Sequence, residues 1–243
     1  MEWNLLIMLL CACATGAGAL PVFFIRGISH RGMDSILAYT AGIMVAASTY
    51  GLIPASLKLT NLYVLCIGVL TGAVLLSILE WVIPHEDVEH IRMNSRVPSS
   101  SLMMVMAMTL HNIPEGLSVG AGLGSQIENL GVVVALSMGI QNAPEGFLVA
   151  LFLVHQKVRR GLAVCLAVLT GVIEFVSSLI GYSLVNAALF LVPYGLAFAA
   201  GAMLFVVYKE LIPETHGHGY ERWATFSFLA GLLSMIGLVE WFR

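Results

Sequence analysis

Eight stretches of this chain, approximately 4–25, 35–57, 62–83, 101–123, 130–154, 161–184, 186–208 and 223–241, stay apolar for close to the about 20 residues that a helix needs to cross a bilayer. A backbone in hydrocarbon has no water to bond, so each span must satisfy its own N–H and C=O groups, and a helix does this alone. Of 243 residues 59% are hydrophobic and 10% charged, and the mean hydropathy is +0.93. The chain therefore reads as one transmembrane domain over 1–243, an all-α polytopic membrane protein with eight transmembrane helices in the lipid bilayer. The first apolar run follows Glu2 with no basic residue before it and is long for a signal peptide, so it reads as a span that stays.

Lys and Arg gather in short cytoplasmic loops, which gives the chain a direction. Arg26, Arg31, Arg92, Arg96, Lys157, Arg159, Arg160, Lys209 and Arg222 fall in alternate connections, and only Lys58 and Arg243 fall on the other side. Both termini are therefore expected outside the cytoplasm, with loops 26–34, 84–100, 155–160 and 209–222 inside. A net charge of −3 without a basic block speaks against nucleic acid as a partner. Cys11, Cys13, Cys66 and Cys165 lie within or at the ends of spans, show no paired ligand spacing, and read as packing residues.

In the fourth span His111-Asn112-Ile113-Pro114-Glu115-Gly116 recurs in the fifth as Gln141-Asn142-Ala143-Pro144-Glu145-Gly146. Residues four apart share a helix face, so His111 with Glu115, and Gln141 with Glu145, can each offer half of a coordination shell. Each proline lacks an N–H, which frees a carbonyl one turn earlier, near Leu110 or Ile140, as a further oxygen ligand. His111 lies ten residues beyond Ser101, roughly 15 Å into the span at a rise of about 1.5 Å per residue. Gln141, Met44 in the second span and Glu174 in the sixth reach a comparable depth, near the bilayer midplane. Glu115, Glu145 and Glu174 are costly at that depth unless they have a partner. No Lys or Arg lies in the spans beside them, so the counter-ion is expected from outside.

Carboxylates, an imidazole and amide oxygens, with a thioether in reach, suit divalent first-row metals better than sodium or potassium. Zn2+ is the first expectation as the transported ion. Cd2+, Fe2+, Mn2+ and Co2+ accept similar ligands. A structural zinc site would favour a closed Cys and His cage, which this chain lacks. No organic cofactor is indicated, and no nucleotide-binding fingerprint points to ATP hydrolysis.

An internal echo bears on architecture. Ala41-Gly42-Ile43-Met44 leading to Leu52-Ile53-Pro54 matches Ala200-Gly201-Ala202-Met203 leading to Leu211-Ile212-Pro213 at constant offset, and Glu80-Trp81 echoes Glu240-Trp241 at nearly the same offset. The topology runs the two copies in opposite directions. The first three and last three spans thus read as inverted repeats, a 3+2+3 arrangement with the motif-bearing spans between them.

At these residues the chain resembles the ZIP (ZRT/IRT-like) metal transporters, because HNIPEG followed by QNAPEG in consecutive helices looks like that family's signature. The glutamine heading the second motif most resembles the bacterial GufA-like branch. The resemblance covers most of the chain. It implies a binuclear site with His111, Glu115, Gln141, Glu145 and Met44 around one metal. Asn112, Asn142, Glu174 and the shared Glu115 and Glu145 would surround the second. Some relatives carry an acid where this chain has Asn142, which weakens the second site's charge. The resemblance also fits a homodimer, for which no residue pattern here speaks. For a bacterial source, the location implied is the inner (plasma) membrane.

His30, His85, His90, His155, His216 and His218 fall in or beside the expected inner loops. They read as ordinary loop chemistry or as a receiving surface for released metal, with His85-Glu86-Asp87 and Glu89-His90 as one loose cluster and Glu210, Glu214, His216 and His218 along an exit. The leading function is a carrier that moves a divalent transition metal toward the cytoplasm. A channel-like pore, a metal sensor and an intramembrane metalloenzyme are the alternatives. No HExxH pattern or evident nucleophile supports an enzyme.

Overall fold

The computed structural model describes residues 2–25, 28–82, 99–125, 127 and 129–241, without the side chains at 80, 82, 99, 100, 103 and 104. Every regular element among them is helical. α1 (Glu2–Ala19) closes with the 3-10 turn Leu20–Phe23, followed by α2 (His30–Ala46), α3 (Ile53–Leu59), α4 (Leu62–Val82) and α5 (Ser99–Gly124). Then come α6 (Leu130–His155), α7 (Arg160–Ala187), α8 (Val192–Val206), α9 (Ile212–Glu214) and α10 (Glu221–Trp241).

The second and seventh expected spans each contain a π-helical turn; the second runs from His30 to Leu59 against 35–57 expected, and the seventh continues through its turn to Glu214 rather than ending near 208. Ala47–Leu52 joins α2 to α3, and Val207–Leu211 joins α8 to α9. Pro54 and Pro213 sit at the start of the helix that follows each turn. A proline removes one donor from the ladder, and the preceding residue reaches back five positions: Ile53 N donates to the Ser48 carbonyl and Ile212 N to that of Val207. Such π insertions sit at functional sites often enough to be worth following.

Seven helical stretches are long and apolar enough to cross a membrane, against eight expected. The difference is α5. At 26 residues it has the length, but His111, Asn112, Glu115 and their polar neighbours lower its hydropathy. Elsewhere the surface suits lipid: Leu62, Tyr63, Ile67, Leu70, Val74 and Ile78 make α4 an exposed apolar face, and Trp81 and Trp241 stand exposed at the ends of α4 and α10.

The helices form two groups. α1, α5, α6 and α7 pack on one another, while α2 lies along α10 and α4 along α8. The groups meet where α5 packs on α8 and α6 on α2. Both motif-bearing helices are thus at that boundary.

Glycines allow the helix backbones to approach closely. A Cβ at Gly146 of α6 would overlap the backbone of Thr15 in α1, and one at Gly116 of α5 would overlap that of Glu174 in α7. These motif glycines pack rather than bind. Gly146→Ala should therefore lower stability by about 1–3 kcal/mol, the usual range for overpacking. Gly237→Ala in α10, with nothing within 4 Å of the added carbon, should be neutral or slightly stabilising. Thermal unfolding in detergent tests the pair, and equal midpoints would contradict the contact.

Candidate metal site

α5 carries His111, Asn112 and Glu115 and α6 carries Gln141, Asn142 and Glu145; all six are buried, as is Glu174 of α7. Both motif prolines lie inside unbroken helices. The two motifs meet through their side chains, since the Gln141 Nε2 donates to Glu115 Oε1. Asn142 Nδ2 donates to Glu174 Oε2 at 2.7 Å, which brings the sixth expected span into the same cluster. Glu145 and Glu174 both lie close enough to Glu115 to act on it electrostatically.

Glu115, Glu145 and Glu174 are 0%, 4% and 1% exposed, and no Lys or Arg is among the buried described residues. A buried carboxylate without an opposite charge is strongly disfavoured. The amides satisfy only part of the set. Glu115 Oε2, Gln141 Oε1, Asn142 Oδ1 and both amide atoms of Asn112 are buried without a hydrogen-bond partner. Unsatisfied polar atoms at this density are rare in a finished interior. Oxygens left open beside carboxylates are the donors that a divalent ion takes.

His111 does not close on Glu115. Its Nε2 lies 3.2 Å from Glu210 Oε2, in the π turn after α8, so the first motif's imidazole bridges the two helix groups. Among the described residues no three His, Cys, Asp or Glu side chains stand ready-made around an ion. His111, Glu115 and Glu174 each pair with another protein group instead. Met44 is buried in the apolar cluster that also contains Met138 and Cys11, with its carbonyl accepting from Ser48 Oγ at 2.9 Å.

Cys11 departs from the packing role expected of the cysteines. Its Sγ donates to Glu174 Oε1 at 3.2 Å, and its carbonyl accepts from Asn142 Nδ2 at 3.3 Å. Cys13, Cys66 and Cys165 are exposed. No spacing marks Cys11 in the sequence; the available signal is that Cys11 and Thr15 share a helix face.

At the far end of α2 a smaller cluster joins residues from both ends of the chain. His218 Nδ1 lies 3.2 Å from Asp34 Oδ1, and the His30 and His218 rings stack at 5.2 Å. Arg31 sits 3.5 Å over the Trp223 ring. His216 instead turns back to the Ile212 carbonyl at 2.8 Å. His85, Glu86, Asp87, Glu89 and His90, with Arg26, Arg92, Arg96 and Arg243, lie outside the described residues.

The ZIP Zinc transporter family model matches residues 84–239. The chain belongs to this family. It is 36% identical to zinc transporter GufA of Myxococcus xanthus over 96% of both chains. It is 34% identical to zinc transporter ZIPB of Bordetella bronchiseptica, over 93% of this chain and 76% of that one. Zinc transporter ZupT of Streptococcus mutans is 28% identical over 93% and 92%. Membership in the ZIP family and the apolar helices together make this an integral membrane protein.

Asn142→Asp tests the ZIP site electrostatically. The change replaces a donor to Glu174 with a like charge, so metal-free stability should fall by about 1.5–3 kcal/mol, the worth of a hydrogen bond to a charged group. Zinc should then raise the unfolding midpoint more than in the unaltered protein. An unchanged metal-free midpoint would contradict the Asn142–Glu174 pairing.

Proposed function

We propose that this ZIP-family chain is a carrier that moves a divalent transition metal, zinc foremost, toward the cytoplasm through a site shared by α5, α6 and α7. The observation that carries the reading is the burial of Glu115, Glu145 and Glu174 with no Lys or Arg among the buried described residues. The names of the relatives, all zinc transporters, favour zinc as the cargo. His111, Glu115, Gln141, Glu145 and Met44 hold one ion, and Asn112, Asn142 and Glu174, with the two motif glutamates as bridges, hold a second. The site lies near the midplane of the inner membrane of a bacterium, and both termini are outside.

We take the fold to be an inverted 3+2+3 repeat. The shift that carries Ala41 onto Ala200 also carries the close contact of Gly42 with Phe228 onto that of Gly201 with Val69, with the roles of the two halves exchanged. It carries Thr15 onto Glu174, and these are the residues that Gly146 and Gly116 pack against. Both π turns obey the same shift to within a residue. Inverted halves around a central site are a recurring carrier design, in which one group rocks against the other.

Uptake of Zn2+, Cd2+, Fe2+ and Mn2+ into proteoliposomes tests the proposal. Saturable influx is expected, and Glu115→Ala and Glu145→Ala should each reduce it at least about 100-fold, since each removes charge from both ions. Influx that does not saturate would favour a pore over a carrier. Binding without influx would make the site a sensor and remove the transport reading.

A further inference from the structure

We infer that Cys11 is a metal ligand of this chain, completing the second half of the site with a soft sulfur donor. The inference rests on the metal-site reading above and deepens it.

The geometry places the thiol among ligands. Cys11 is 5% exposed, with its Sγ 3.2 Å from Glu174 Oε1 and 3.9 Å from Asn142 Nδ2. A tetrahedral zinc bonded at about 2.3 Å to sulfur and about 2.1 Å to oxygen separates those two atoms by about 3.6 Å. The pair therefore needs to open by only a few tenths of an ångström to admit an ion. The Asn142 amide heads this spot from α6 and is 1% exposed, with Oδ1 unpartnered. Thr15, one turn along α1 from Cys11, adds a hydroxyl that is 1% exposed and also unpartnered. Packing alone does not leave two such buried polar atoms open on residues that contact or adjoin Cys11 by one helical turn.

Donor type points the same way. Glu115, Glu145, Glu174 and Asn142 offer oxygen and amide ligands, and Cys11 adds a soft sulfur donor. The consequence is selectivity. A thiolate favours Zn2+ and Cd2+ over Mn2+, which prefers oxygen.

The test uses full-length protein in detergent carrying Cys13→Ser, Cys66→Ser and Cys165→Ser, so that Cys11 is its only thiol, with Cd2+ as the probe. Titration should produce the ultraviolet thiolate-to-cadmium charge-transfer band. Adding Cys11→Ser should abolish the band, weaken Cd2+ binding at least about 10-fold, and shift competitive uptake toward Mn2+. The band in the triple variant reads the ligand without altering position 11, so misfolding of Cys11→Ser does not decide the outcome. Cd2+ binding and uptake without the band would overturn the role of Cys11 and leave the carrier reading standing. Protein that neither binds nor transports Cd2+ would overturn both.

Discussion

The whole structure turns on three carboxylates that have been taken out of water with no Lys or Arg among the buried described residues to answer them. Glu115, Glu145 and Glu174 come from three different helices and lie within electrostatic reach of one another. Each costs free energy in that position, and the cost is tolerable only when the protein or a guest supplies positive charge or hydrogen. The chain supplies neutral donors instead. Gln141 serves Glu115 and Asn142 serves Glu174. An Arg in either place would stabilise the apoprotein better, and would also compete with any cation for the same oxygens.

Convergence of these groups depends on how near the backbones come. Long side chains would hold α5 off α7 and α6 off α1, whereas Gly116 and Gly146, each next to its motif glutamate, let the helices touch. The same residues that bring the carboxylates together are therefore silent in the chemistry. The π turns act at the other face of the site. By adding a residue to the ladder after α8, Val207–Leu211 changes the rotation of everything beyond it, and Glu210 in that turn meets His111 from across the boundary between the two helix groups.

Apolar run length located all eight spans, α5 among them, although the buried polar groups of its motif leave it outside the seven stretches that are apolar enough by hydropathy. The motif was legible because its information is local: spacing by four sets a shared face. Partner choice between helices was not. Spacing suggests His111 beside Glu115, yet His111 meets Glu210, and Glu115 takes Gln141 from the other motif. Which azimuth each helix turns toward its neighbour is decided by glycine contacts far apart in the chain. Cys11 was opaque for the same reason. Nothing within α1 distinguishes it from Cys13, two residues on, but one faces Glu174 and the other faces outward.

On the proposed carrier reading the cargo must also leave, and the pairings of Glu115 with Gln141 and of Glu174 with Asn142 suit that. Every hydrogen bond that closes the site is made by a group also counted as a ligand, so metal binding exchanges one partner for another rather than filling an empty cage. Such bonds are individually worth about 0.5–1.5 kcal/mol net, or about 1.5–3 to a charged group. That is enough to hold the carboxylates and too little to exclude a divalent ion. The His111–Glu210 contact adds a mechanical consequence, because it joins a motif helix to the other helix group. On the proposed carrier reading, an ion bound by His111 would replace this link, which would couple occupancy of the site to the contact between the two helix groups.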